Sequence, residues 1–214
     1  MYATLGELRA KLRARTGFSA AGAAAGVNQE AFNAMLQDAQ VVLYWTHDWA
    51  RLRKYAPITI GVNQYLVDYP TNANPERIRA ISILVNGVWT PPIKRGIAPQ
   101  DYTTQDSTSY PRAWEPYAQI EFFPKADQVY TGRVFYVENL GRFTQDDDRA
   151  TIDSDLIFTL ALADAKGHYR HQDAANYKSR AETLLTSLKA KNWGKTVFNP
   201  LDYGDDVLAK PRVV

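Results

Sequence analysis

Residues 78–93 read IRAISILVNGVWTPPI, and this stretch decides the fold. Two short apolar runs, Ile78–Val85 and Val88–Ile93, flank Asn86-Gly87, a dipeptide suited to the left-handed backbone of a two-residue hairpin turn. The surrounding segments keep the same character. Thr59–Val67 reads as two short strands around Gly61-Val62-Asn63, and Gln119–Phe123 with Arg133–Glu138 as a second hairpin. Tyr102–Pro111, rich in Thr, Ser, Gln and Asp, reads as an exposed loop between them. The middle of the chain is therefore antiparallel β.

On both sides the period changes to helical. Leu5, Leu8 and Leu12 stand on one face of a short helix closed by Thr16 and Gly17, and a small-residue linker follows over Gly17–Gly26. No Gly-Lys-Ser/Thr follows it, so it is not a phosphate loop. Asn28 is placed as the N-cap of a long helix in which Phe32, Met35, Leu36, Ala39, Val42, Leu43 and Trp49 share a face. That helix is expected to reach about Arg53, with Pro57 ending the pattern. Helix returns after Asp153 and Ser154 with Leu156, Ile157, Leu160, Ala161, Ala165 and Tyr169. A turn near His171–Asp173 leads to a last helix with a stripe of Tyr177, Ala181, Leu184, Leu185 and Leu188.

Each helical pair has an apolar face it cannot cover alone, and the termini of an inserted sub-domain tend to lie close together. The economical arrangement is α+β: a helical bundle of residues 1–54 and 141–192, an inserted antiparallel β sub-domain of residues 55–140, and an extended C-terminal arm of residues 193–214. With 214 residues, 45% of them hydrophobic and 22% charged, the chain has the composition of an ordinary globular protein. A formal charge of +2 argues against nucleic-acid binding through bulk charge. The absence of cysteine removes disulfides, thiolate catalysis and thiolate metal sites together. No apolar run is long enough to span a membrane, and the first fifteen residues have no signal-peptide core, so a membrane partner is not expected.

The sequence carries no motif for a catalytic residue, cofactor site or metal site, and none is expected. His168 and His171, with Asp164 and Asp173 nearby, have a spacing that metals use, but the polar end of a helix explains histidines there equally well. His47-Asp48 lies between two tryptophans without a nucleophile motif. Asp146, Asp147, Asp148, Asp153 and Asp155 lack the register of a calcium loop and fit capping and the helix dipole. Basic residues gather at Arg9, Lys11, Arg13 and Arg15, at Arg51, Arg53 and Lys54, and at Lys178, Arg180, Lys189, Lys191 and Lys195, which keeps a DNA-binding alternative open. Trp89 and Trp114 with nearby tyrosines leave room for a carbohydrate-binding β module.

The final segment fits neither a solvated tail nor a regular element. Trp193, Val197, Phe198, Leu201, Tyr203, Val207 and Leu208 are too apolar for the first, while Pro200, Gly204 and Pro211 break the second. Burying its large side chains would contribute roughly 1.5–3 kcal/mol each. Ordering some twenty backbones costs roughly 1–2 kcal/mol apiece. Apolar burial alone is insufficient, so the segment calls for a partner's sheet edge or groove that also supplies backbone hydrogen bonds, the alternative being a tail strapped across its own domain.

Several features together are similar to one family. They are the helix ending in His47-Asp48-Trp49 before basic residues, the turn at Asn86-Gly87, Ile120-Glu121-Phe122-Phe123-Pro124 with Asp127 and Tyr130 leading into Val134 and Tyr136, and the helix from Asp153 carrying Ala161 and Ala165. This organisation resembles the head-to-tail adaptor proteins of tailed bacteriophages. The resemblance implies a non-enzymatic virion protein at the head–tail junction, forming a homo-oligomeric, dodecameric ring between the portal protein and a tail or nozzle protein. It also implies a helical channel wall with non-specific contact to genomic DNA, and a C-terminal arm inserted into the portal.

Overall fold

The computed structural model describes residues 2–18, 24–104 and 107–193. Its elements are α1 (Leu5–Thr16), α2 (Ala24–Thr46), β1 (Arg53–Ile60), β2 (Leu66–Val67), β3 (Ala73–Val85), β4 (Val88–Trp89), β5 (Lys94–Arg95), β6 (Ala113–Pro116), β7 (Ile120–Phe123), β8 (Tyr130–Glu138), α3 (Ser154–His168) and α4 (Ala174–Trp193). They fall into two compact units, one holding residues 1–50 with the chain from Leu140 onward through α4, the other residues 51–139. A helical bundle with an inserted, mostly antiparallel β sub-domain is thus the observed α+β architecture.

In the helical unit, α3 is the hub on which α1, α2 and α4 pack. Its sequence explains this role. Leu156, Ile157, Ala161, Leu162 and Ala165 are buried, and the alanines let neighbouring helices approach closely. Asp153 caps it by accepting from the N–H groups of Asp155 and Leu156 at 3.1 and 3.0 Å. At the other end the rings of Phe18, Phe32 and Tyr169 cluster with centroids 4.6–6.4 Å apart, tying the end of α1 to α2 and α3. The α3–α4 turn is fixed by Lys166, which is buried, reaches Asp173 at 2.7 Å and lies 4.8 Å from the Tyr177 ring centroid.

The long helix differs from expectation at both ends. It has already begun by Ala24, so Asn28 is an internal residue and accepts from the Tyr169 hydroxyl at 3.4 Å instead of capping. It stops at Thr46, short of Arg53, because Trp49 folds back. The indole N–H donates to the Leu43 carbonyl at 2.8 Å, satisfying an acceptor left open by the helix end. Consequently His47-Asp48-Trp49 is not helical, and Arg53 and Lys54 belong to a strand. Of the residues 17–26 read as a linker, Ala24–Gly26 are helical.

The β unit contains two four-stranded sheets, ordered β1-β8-β3-β4 and β2-β7-β6-β5. They enclose one core that includes Ile58, Ile81, Ile83, Trp114, Ile120, Phe122 and Val134. The hairpin at Asn86-Gly87 forms as read, with both residues left-handed at φ 49° and 79°. The other expected hairpin does not. β7 pairs with β6 and β2, whereas β8 lies between β1 and β3 in the opposite sheet. Periodicity shows that both segments are strands but not which partners they choose, and Pro124 with the turn after it redirects the chain between sheets. One short pair, β5 with β6, is parallel. Pro57 is tolerated within β1 because that strand is an edge. Tyr102–Pro111 is only partly a loop: residues 99–104 form a 3-10 helix, and Tyr110 packs on the core.

Candidate functional site

The residues that looked most chemical turn out to be structural ties. Arg9 is buried and grips Asp146 through two parallel hydrogen bonds of 2.8 and 2.5 Å, with Asn33 accepting a third at 3.2 Å. The Asp146 carboxyl is held below its usual range chiefly by that arginine bond. Asp148 accepts from the Thr144 and Gln145 N–H groups at 2.6 and 2.7 Å, and these bonds lower its pKa too. The backbone carbonyls of Asp146 and Asp148 take the N–H groups of Gly6 and Leu5, each at 2.9 Å. The acidic run therefore clasps the first turn of α1; only Asp153 serves α3 as a cap.

The histidines make no site among the described residues. His168 and His171 are exposed, Asp173 is engaged by Lys166, and no group of three potential metal ligands forms among the described residues. His47 packs edge-on against the Trp49 ring at 5.1 Å. In the β unit Trp114 is 1% exposed, so it cannot stack on a sugar. The Trp89 face is covered by the Arg133 guanidinium at 4.1 Å, which also lies 4.8 Å from the Tyr55 ring. Those contacts take the two tryptophans out of the support for a carbohydrate module.

Two polar residues that sequence reading passed over carry the return of the chain into the bundle. Gln40, fully buried on α2, donates to the Gly141 carbonyl at 2.8 Å and accepts from the Thr151 N–H at 3.0 Å. Gln37 accepts from the Phe143 N–H at 2.8 Å. A signal existed in the sequence: Gln40 occupies a position on the apolar stripe between Leu36 and Leu43, where a polar side chain must find partners.

What remains is surface, and in the helical unit its apolar part lies beside α4. Of its five-residue stripe only Ala181 is buried; Tyr177, Leu184, Leu185 and Leu188 are half-buried. Because α4 rests mainly on α3, a groove opens on each of its flanks. On the α2 flank lies an apolar hollow of about 110 Å³ walled by Val42, Leu43, Leu156, Leu160, Ala181 and Leu185. Beside it Val42 and Trp45 are 55% and 54% exposed. Val42, read as part of the buried face, thus points outward. Along this flank Asp164 has a raised pKa, through desolvation and then the Asp38 carboxylate, with Lys178 opposing. On the α1 flank lies a larger cavity of about 880 Å³ with Arg15, Arg180, Phe158, Tyr177 and Leu184 among its walls.

Trp193, read as the first residue of the arm, is the last residue of α4, whereas Val197, Phe198, Leu201, Tyr203, Val207 and Leu208 lie outside the described residues. Among the described residues no helix is long and apolar enough to cross a membrane. The helical unit thus leaves apolar side chains of α2 and α4 uncovered, while Arg9–Asp146 and Lys166–Asp173 tie it internally. The family model described as SU10 adaptor protein matches residues 3–202, and the chain belongs to that family. No curated protein matches it. The protein is accordingly a non-enzymatic structural component of the phage virion, an adaptor at the head–tail junction that forms an oligomeric ring linking portal and tail.

Proposed function

We propose that twelve copies close the ring, that the helical unit forms the wall of the DNA channel, and that residues 193–214 are the arm that holds the portal. The carrying observation is the arm's sequence: Trp193 ends α4, and six more apolar residues, Val197, Phe198, Leu201, Tyr203, Val207 and Leu208, come after it without a period of their own. Such a segment acquires order when a partner offers both apolar area and backbone hydrogen bonds, so its folding is coupled to the presence of the portal. A ring would then be completed on a filled capsid and present the β unit to a tail or nozzle protein. Exposed basic side chains such as Lys11 and Lys191 are available for non-specific contact with DNA in the channel.

The test is a chain truncated after Asn192. Its circular dichroism and thermal unfolding should match those of the full chain, while capture on purified portal is lost. Truncated protein that loads onto portals as well as the full chain would overturn the arm assignment.

A further inference from the structure

The two flanks of α4 differ in the way two halves of a heterologous contact must differ. At 100° per residue, the residues bordering the α2 flank (Lys178, Ala181, Glu182, Leu185) and those bordering the α1 flank (Asn176, Arg180, Thr183, Ser187) occupy separate faces of the helix, on either side of its seam with α3. The α2 flank exposes the apolar side chains of Trp45 and Val42 beside its small hollow. Asp38, Val42 and Trp45 follow one another on one face of α2 at i, i+4 and i+7. Its charged rim carries Asp38, Asp164 and Glu182 against one lysine, Lys178. The α1 flank is concave, roomy enough for an indole, floored by Phe158, Leu162 and Leu184, and its rim carries Arg15 and Arg180 against Asp155. One flank offers exposed apolar side chains with a mainly acidic rim, the other a large hollow with a mainly basic rim.

We propose that these are the two faces through which copies of this chain join: the α2 flank of one copy seats Trp45 and Val42 in the α1 groove of the next, bringing Asp38 and Asp164 opposite Arg15 and Arg180. The proposal rests on the ring assembly and specifies its contact. Self-pairing of the α2 flank would set Asp38 and Asp164 against their own copies, a like-charge arrangement. Head-to-tail pairing of unlike faces removes that repulsion, and it is the geometry that closes rings. It also covers the half-buried leucines of α4, which no described part of the same chain covers.

The absence of cysteine gives a clean background for testing the contact. Full-length chain carrying Val42→Cys and Thr183→Cys, assembled with portal and treated with a short bis-maleimide, should give a ladder of covalent multimers on a denaturing gel. Each single-cysteine chain should stay monomeric. Dimers from Val42→Cys alone would show the flank pairing with itself and overturn the proposal. Absence of a ladder from an assembly that native mass spectrometry shows to be oligomeric would overturn the faces and leave the ring intact; it would point to a portal segment or residues 194–214 in the groove. Wild-type chain that forms no oligomer with portal would overturn the ring itself. Independently, Asp38→Lys with Asp164→Lys should weaken assembly roughly tenfold, as should Arg15→Glu with Arg180→Glu. All four together should restore it, and a quadruple variant as weak as either double would refute the pairing.

Discussion

Gln40→Leu removes the buried link between α2 and the segment that carries the chain back from the β unit. The substitution preserves side-chain bulk but deletes two hydrogen bonds, to the Gly141 carbonyl at 2.8 Å and from the Thr151 N–H at 3.0 Å. Stranding a buried donor or acceptor costs about 1–3 kcal/mol. The Gly141 carbonyl keeps a weak alternative in the Thr151 hydroxyl at 3.5 Å, and added leucine burial returns part of the loss. The net destabilisation should therefore be about 2–3 kcal/mol. With a urea slope of about 1–3 kcal/mol per molar, the midpoint should fall by about 1 M. Urea titration followed at 222 nm reads the helical unit, where most of the helix resides. Gln37→Leu, which loses only its bond from the Phe143 N–H, should cost about half as much. A Gln40→Leu midpoint within the error of wild type would show that the return segment is held by something other than these bonds.

Two further outcomes follow from close packing and from charge. Gly132 lies in β8, central in its sheet, where an added Cβ would come within 2.8 Å of Ile58 Cγ1. Gly132→Ala should cost about 1–3 kcal/mol in the β unit by thermal unfolding, and combined with Ile58→Ala the cost should be less than the sum of the two singles; a neutral Gly132→Ala would refute the packing. Acid should act on two groups of carboxylates in opposite senses. Asp146, Asp148 and Asp173 have folded pKa values depressed below 3.8, so the stability they supply is present above that value and lost only as pH falls through the lowered ones. Glu121 in the β unit is raised above 4.5, first by burial and then by Glu115 beside it, so that unit gains stability as pH drops from neutral through its raised value. Asp164 shifts the same way, in the helical unit. Unfolding curves at several pH values, read separately for helix and for tyrosine fluorescence, should show the helical unit failing only at the acid extreme. Loss of helix at pH 5 would refute the assignment.

What could be read from the sequence was the part that depends on local periodicity. The four helices, the turn at Asn86-Gly87 and the Asp153 cap each follow from residues within a turn or two of one another. The end of α2 was not legible, because it depends on Trp49 returning to a carbonyl six residues earlier, and a tryptophan at helical spacing looks the same whether it continues the helix or closes it. Strand pairing was illegible for a similar reason: β7 and β8 alternate in the same way, and their separation into two sheets is decided by partners at Ala113–Pro116 and Arg53–Ile60. The acidic run near residue 146 looked like a helix start because its partner, Arg9, is 137 residues away. The incomplete cover of α4 could not be read either, since a stripe on a helical wheel does not say which neighbour is missing.

Native mass spectrometry of purified portal mixed with the full-length chain tests the central claim most directly. The account predicts a single dominant complex in which a complete ring of twelve copies is bound per portal, with few partial stoichiometries because ring contacts and portal contacts reinforce each other. One or two bound copies, or independent filling of separate sites, would contradict it.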